Sequence, residues 1–506
     1  MTRTSRTSSL FALIALCAAA CTQAHTPLDA PVVGESVSAT IDRAGGELAL
    51  AGVVLRIPEG ALPSATTITI TATDATPPSW LSASSPVLRF EPEGLSFDAP
   101  IELRIPFTGD AESVSVFWSA REGGAFVPRS TRVEGGIAIA ESTHFSQAFV
   151  GTACEGEGCC GRANGRLDVV FMVDNSNSMT EEQAALYAQI PRLARALASG
   201  DVDADGTQDF PALESVRVGV VSSDMGTGGF EIPTCGAGTF GTALGDDGVL
   251  LTTPRGDGTA CDASYPRFAE LGADAPAGAL DAFVDHVGCI ANIGIGGCGF
   301  EQPLEAALKA VTPASAAIRF EGGTSGHADG ANAGFVRTDS MLAIVMLTDE
   351  DDCSAADSGI FDTSSPEYGG TDLNLRCSTY PEAVHPTSRY VDGLLALRAD
   401  PADVIFATVA GAPPDVIASA PDLDALLADA SMAERIDPAM PTRLAPSCDV
   451  PGVGIAFPPR RIVRVARDLE AAGAHAVVAS ICQDDFTPVV DAILARVAAR
   501  ARGECR

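Results

Sequence analysis

Asp174-Asn175-Ser176-Asn177-Ser178 stands at the carboxyl end of an apolar run, Leu167 to Val173, and a helical pattern begins directly after it. The run lacks polar alternation, as a parallel strand covered on both faces does. Ligands of open α/β sheets bind in the crevice beyond the carboxyl ends of such strands. The pentapeptide therefore delivers one carboxylate and two hydroxyls to that crevice on one tight turn. These are hard oxygen donors, suited to Mg²⁺, Mn²⁺ or Ca²⁺ rather than to zinc. A second apolar run, Leu342 to Leu347, ends in Thr348-Asp349, so two buried strands bring acid to the same edge. The competing reading assigns Ser176 or Ser178 to helix capping, because Ser178-Met179-Thr180-Glu181 fits a capping box.

The pattern around this stretch is an alternation of strands and helices. Leu186, Ile190, Leu193 and Leu197 recur at helical spacing, with Pro191 expected to bend that helix. Further strands are predicted at Val216 to Val221, Val404 to Val409 and Ala476 to Ile481. Helices are predicted at Ala279 to Val287, Pro303 to Val311, Ser388 to Arg398, Asp422 to Ala430, Arg464 to Ala472 and Thr487 to Ala501. Such alternation implies a doubly wound α/β sheet. Between the elements lie long Gly-, Pro- and Asp-rich loops, 225–275, 320–338, 354–386 and 411–450, several of which emerge after strands near the acidic edge.

On these residues, 165–500 resembles a von Willebrand factor A domain with a metal-ion-dependent adhesion site. The resemblance implies that Asp174, Ser176 and Ser178 hold a divalent cation, Mg²⁺ or Mn²⁺, and that Asp349 assists directly or through water. The family also supplies a Thr from a middle loop, and here this chain departs. The corresponding stretch reads Gly294-Ile295-Gly296-Gly297-Cys298-Gly299-Phe300-Glu301, without Thr. Either the metal has one hydroxyl contact fewer, or Glu301 or a backbone carbonyl takes its place. The resemblance further implies capture of a partner whose carboxylate completes the coordination sphere.

Residues 36–150 have another texture. Short alternating runs occur at Glu47 to Ile57, Thr66 to Thr73, Val87 to Phe90, Ile101 to Ile105, Val114 to Trp118 and Gly136 to Ala140, punctuated by Gly and Pro. They predict an all-β, antiparallel sandwich. Gly45-Gly46, Ile57-Pro58-Glu59-Gly60-Ala61-Leu62, Pro92-Glu93-Gly94, Pro100 and Thr143-His144-Phe145-Ser146 follow the order of the ZU-five domain, which this stretch resembles. That family mediates protein contacts and has no catalysis. A lone histidine such as His144, between Thr and Phe, reads as a hydrogen-bonded structural residue.

A second cation candidate is Asp201-Val202-Asp203-Ala204-Asp205-Gly206-Thr207-Gln208-Asp209. Oxygens from Asp201, Asp203, Asp205 and Asp209 around a Gly-enabled turn can wrap one Ca²⁺. The closing Glu of an EF-hand is absent, since position twelve is Ala212, and the loop looks more like those of thrombospondin type-three repeats. The other reading is a solvated acidic loop. In the run Asp349-Glu350-Asp351-Asp352, Glu350 and Asp351 read as solvated, while Asp224, at another strand end, reaches toward the crevice from outside.

The chain carries 32 Lys and Arg against 66 Asp and Glu, a net charge of −34. That excludes nucleic acid as a partner, which needs a basic footprint, and excludes docking on anionic lipid. Arg3 and Arg6, an apolar stretch from Leu10 to Ala20 and then Cys21 resemble a bacterial lipoprotein signal. Cleavage would leave Cys21 as the lipid anchor of an outer-membrane lipoprotein at the cell surface, with 21–35 as tether. The alternative is an ordinary secretory signal cut near Ala20 or Ala24.

Of 14 cysteines, Cys17 leaves with the signal and Cys21 takes lipid; all others follow residue 150. A secretory route makes them disulfide partners. Local candidates are Cys235 with Cys261, Cys289 with Cys298, and Cys353 with Cys377, with Cys154, Cys159 or Cys160 tied to Cys505. The segment 151–165 links the domains, and 166–506 forms the second. The six histidines show no paired spacing, and neither a nucleophile triad nor a phosphate-binding loop is legible. The sequence therefore predicts no enzyme. It predicts an adhesion or ligand-binding protein that captures a protein or glycan through a divalent cation. The alternatives are an envelope protein whose cations only stabilise the fold and, behind that, a metal-dependent hydrolase.

Overall fold

The computed structural model describes residues 30–77, 81–119, 126–154, 162–203, 205, 207–233, 235, 244–256, 261–273, 275–276 and 278–504. Cys21, the leader, most of the tether, Cys159, Cys160 and Cys505 lie outside the described residues.

The N-terminal part is a pair of antiparallel sheets. One runs, edge to edge, through Ser36–Ile41, Thr66–Thr73, Val87–Glu91, Gln147–Thr152, Ser115–Ser119 and Phe126–Arg129; the other through Arg132–Glu134, Ile137–His144, Ser96–Pro106, Val53–Ile57 and Gly46–Leu50. Alternate residues of both, among them Leu55, Ile70, Phe90, Leu103 and Trp118, meet in one core. Phe90 stacks on Trp118 at 5.3 Å, and Phe145 packs on Phe90 at 5.4 Å. The run Glu47 to Ile57, read as one strand, is a hairpin. Its turn is Ala51-Gly52, with Gly52 at φ 78°. His144 is structural, as expected: its Nε2 pairs with the Ser119 carbonyl at 3.1 Å inside the sandwich.

The second part is built on a mixed six-stranded sheet. Its spatial order is Ala269–Gly272, Ser215–Ser222, Arg166–Val173, Met341–Leu347, Val404–Ala410 and His475–Ser480. All are parallel except the edge strand Ala269–Gly272. That strand lies in a stretch expected to be loop, where its short sequence Ala-Glu-Leu-Gly carries little apolar pattern. Helices cover both faces. Leu167, Val169, Phe171 and Val173 point into a core shared with Thr180–Ser199, Ala279–Ala291 and Thr487–Arg502. Val170 and Met172 point into the opposite core, with Pro303–Val311, Ser388–Leu395 and Arg460–Ala471. Covered on both faces, the strands can be apolar throughout.

One position breaks that rule. Asp168 sits in the central strand with no exposed surface. Its carboxylate accepts from Arg337 Nε at 2.9 Å and Nη2 at 2.6 Å, from the Arg337 amide at 2.7 Å and from Ser340 Oγ at 2.6 Å. Lys309, the chain's one lysine, is also fully buried. It pairs with Asp247, donates to Thr324 Oγ1 at 2.7 Å and lies over the Phe320 ring.

The two parts are joined by charge. Glu214 accepts from Arg129 of the sandwich at 3.0 Å and from Arg166 of the central strand at 3.2 Å. Between them, Gly165 passes so close to Pro128 that a Cβ would lie 2.3 Å from its carbonyl oxygen.

The long loops have their own small core, where Ile232, Cys298, Phe300, Cys353, Ile360, Phe361 and Tyr368 are buried together. Between described residues the disulfides are Cys235–Cys298, Cys261–Cys289, Cys353–Cys377 and Cys448–Cys482. Only Cys353 with Cys377 matches the pairing expected from proximity in sequence. The expected pairs Cys235 with Cys261 and Cys289 with Cys298 are exchanged, because the 223–235 loop folds against the Gly-rich loop rather than on itself. Cys448–Cys482 joins the hairpin Cys448–Val450 and Gly454–Ala456 to the end of the last strand. Cys154 is also disulfide-bonded.

Candidate functional site

Numbered in chain order, the sheet runs 3-2-1-4-5-6, so the order reverses between Arg166–Val173 and Met341–Leu347. After the first of these the chain turns to the helix on one face; after the second it proceeds to the other face. A crevice must open between them, and such switch points are where open sheets bind ligands. Val173 is in register with both Leu347 and Ser222. The next residues, Asp174, Thr348 with Asp349, and Ser223, are thereby placed side by side.

Asp174 is fully buried. Its Oδ1 accepts from the Ser176 amide at 2.8 Å and from Ser223 Oγ at 3.3 Å; its Oδ2 accepts from Thr348 Oγ1 at 2.7 Å. Ser176 and Ser178 hydroxyls lie 3.1 Å apart, and Ser178 favours the charged form of Asp349 against its burial. The capping-box reading fails here: the helix Thr180–Ser199 has Met179 at its N-cap position and no side-chain cap. Both serines therefore stay with the acidic edge.

The Gly-rich loop packs directly on this turn. The Gly297 amide donates to the Asn175 carbonyl at 2.8 Å, and Gln183 Nε2 ties the Asp174 carbonyl, at 2.7 Å, to that of Gly294, at 3.0 Å. A Cβ on Gly297 would meet the Asn175 side chain at 2.1 Å, so only glycine allows the approach. Glu301, at the end of this loop, is 3% exposed and feels the charges of Glu350, Asp174 and Asp349. The middle loop thus brings a buried carboxylate toward the acidic edge. Ser223, Thr348, Gln183 and Glu182 belong to the same site. Sequence reading missed them, although Thr348 was adjacent to a residue it selected.

The electrostatics are unusual for a protein interior. Burial pushes Asp174 up, against hydrogen bonds from Ser176, Thr348 and Ser223. Burial, then the neighbouring acids, push Asp349 and Glu301 well above the carboxylate range, and burial with Asp174 brings Glu350 up to about 7. Among the described residues no Lys, Arg or His forms an ion pair with any of these four. Asp349 Oδ1 and Glu182 Oε2 are buried without a hydrogen-bond partner. Desolvated carboxylates without a counter-charge are costly, and a divalent cation held by hard oxygens removes that cost. The donor set fits such an ion.

Other acids behave differently from expectation. Asp351 is not solvated. It accepts the amides of Arg461 at 2.9 Å and Ile462 at 3.3 Å, at the N-terminus of Arg460–Ala471, where helix dipole and free amides favour an anion. Burial nevertheless pushes it up to about 7, against the charge of Arg461. Glu350 is half-buried rather than solvated. Asp224 is buried; its Oδ1 accepts from the Gly226 amide at 2.8 Å and burial brings it up to about 6.

In the loop after the first helix, ligand oxygens of Asp201, Asp203 and Asp209 gather within 4.8 Å of one another. Asp205 is not part of this group, and its Oδ1 accepts from the Thr207 amide at 2.7 Å.

Comparison with known proteins covers the sandwich. Residues 37–119 match the family model described as the ZU5 domain. No curated protein matches the chain. Among solved structures, the pilus adhesin (RrgA) from Streptococcus pneumoniae is similar over 63% of this chain and 40% of that one, with 11% identity and a TM-score of 0.16. At that score the likeness carries no argument. The matched residues and the paired antiparallel sheets together make the N-terminal part a ZU5-like β-sandwich.

Proposed function

We propose that the C-terminal part is a von Willebrand factor A-like binding module, and that the protein captures a protein or glycan partner through a divalent cation. Asp174, Ser176 and Ser178 would hold Mg²⁺ or Mn²⁺. Asp349 and Glu301 would complete its surroundings, and a carboxylate of the partner would fill the open position. The observation that carries this reading is the group of buried carboxylates at the switch point, without a basic partner and with an unbonded oxygen on Asp349. The ZU5-like sandwich serves as spacer or as a second protein-contact surface. Binding rather than catalysis is favoured because the site offers oxygens to an ion but no nucleophile paired with a base.

Calorimetric titration of the full-length protein with Mg²⁺ and Mn²⁺ should show uptake, and capture from cell-surface extracts should occur with Mg²⁺ and disappear with EDTA. Capture that is the same in EDTA instead supports an envelope protein whose ions only stabilise the fold.

The Asp201, Asp203 and Asp209 group is proposed to hold a structural Ca²⁺. Asp203→Ala should then abolish the Ca²⁺-dependent rise in melting temperature. Weak affinity, with Kd about 10⁻⁴–10⁻³ M, is expected of an extracellular module; an unchanged rise removes the site. For the leader, the proposal is lipid on Cys21 and an outer-membrane location. Cells fed a palmitate analogue should yield labelled protein, and a freely secreted, unlabelled product removes the anchor.

A further inference from the structure

Beside the acidic edge, a cavity of about 130 Å³ opens beneath the loop that carries Glu434, Arg443 and Leu444. Its walls are apolar: Phe300, Leu373, Leu444 and Phe457. Its polar lining is mainly acidic, with Glu301, Glu350, Asp351, Asp352 and Glu434; Asp352 is taken by Arg461, Asp351 by two helix amides, and Glu434 lies 3.6 Å from Arg460 in a partly exposed pair. The two arginines that reach it are already engaged, Arg461 with Asp352 at 3.0 Å and Arg443 with Asp437 at 3.0 Å. Arg443 also lies 5.7 Å over the Phe457 ring, so one aromatic wall already carries a guanidinium.

Size and chemistry together select the occupant. Ligand pockets for whole small molecules are about 300–1,000 Å³, whereas an engineered cavity of roughly 150 Å³ takes a single benzene. This cavity has room for one side chain. A metal ion needs convergent oxygens, and the acids that line this cavity are not among the described carboxylates that gather within 4.8 Å of one another. An organic cation needs the reverse, an apolar wall for its stem and face and an acidic end for its charge. The same loop also exposes Ile436 (57%) and Met440 (48%), large apolar side chains, and Ile436 is bridged to the cavity-lining Leu444. Protein interfaces place such apolar contacts around a buried basic anchor, and arginine is enriched among those anchors.

We propose that this cavity seats one basic side chain, arginine or lysine, of a protein partner, with the flanking partner residues resting on Ile436 and Met440. The proposal deepens the cation reading by giving the partner a basic residue, but the cavity itself does not need the cation. Full-length protein is titrated, in EDTA, with acetyl-Gly-Arg-Gly-amide, which carries no carboxylate. The methyl resonance of Met440, assigned by its loss in Met440→Leu, is followed. The resonance should shift saturably with this peptide, and not with the Gln or Glu counterparts. Glu434→Gln should weaken binding, and Glu434→Arg should weaken it by about tenfold or more, as expected when a charge facing a charged anchor is reversed. No shift with the Arg peptide, an equal shift with the Gln peptide, or indifference to Glu434→Arg overturns the proposal. So does displacement of the peptide by Mg²⁺ or Ca²⁺ that itself reproduces the Met440 shift. Because every arm but that one is run in EDTA, failure of the cation site leaves the outcome readable.

Discussion

Replacing Asp174 with alanine should abolish cation uptake at the switch point while leaving the sheet intact. This carboxylate is the charged member of the D-x-S-x-S turn; Ser176 and Ser178 add neutral oxygens. Without it, too little negative charge remains to replace the hydration shell of Mg²⁺, which dehydrates reluctantly. The strand below is held by apolar packing on both faces. A cation at about 100 times its Kd stabilises the folded state by about 2.7 kcal/mol, and that increment should vanish in the variant.

The metal-free proteins should rank the other way. Burial raises Asp174 above its ordinary value. A carboxyl raised in the folded state loses stability as pH climbs from its unfolded value, about 3.9, toward its folded one. In EDTA at neutral pH, Asp174→Asn should therefore melt at or above the wild-type temperature, whereas in Mg²⁺ it should melt below it. Calorimetry and melting with both metals test this. Wild type that takes up no ion, or Asp174→Ala that binds as wild type does, removes the site.

The second large effect is at Asp168, remote from that chemistry. Asp168→Ala takes the carboxylate from Arg337 and the Ser340 hydroxyl, leaving the guanidinium only the neutral oxygens of Leu167 and Ser215. Removing one member of a buried pair costs about 3–5 kcal/mol, because the remaining charge is stranded. Denaturant unfolding should show a loss of that order. The folded fraction should still bind cation, since six residues of strand put Asp168 about 20 Å from Asp174. A loss below about 0.5 kcal/mol, the range of ordinary surface substitutions, shows that the pair has no such role.

Asp168 also marks what sequence could and could not convey. The run Leu167 to Val173 read correctly as a doubly covered strand because five of its neighbours are aliphatic or aromatic; its one acid was invisible as a core residue, since its partner Arg337 lies far along the chain. The acidic edge was legible for a related reason. Strand ends are local, so Asp174 and Asp349 could be placed at one edge from apolar patterning. What surrounds them was not local. Glu301 arrives on the Gly-rich loop, which the exchanged disulfide ties at Cys298 to Cys235, and nothing in cysteine spacing encodes that exchange. Ser178 was ambiguous between cap and site, and the placement of Met179 at the N-cap position, with no side-chain cap, decided the matter.

Lys309 has a consequence for the outer surface. The chain has one lysine, and its amine is sealed beneath Phe320 and spent on Asp247. The positive side chains left to meet solvent are guanidinium groups, which stay protonated at any physiological pH and are poor nucleophiles. The folded protein thus offers no side-chain amine for acylation, imine formation or isopeptide cross-linking. Amine-directed reagents, and enzymes that build amide bonds onto lysine, find no lysine acceptor on its folded surface.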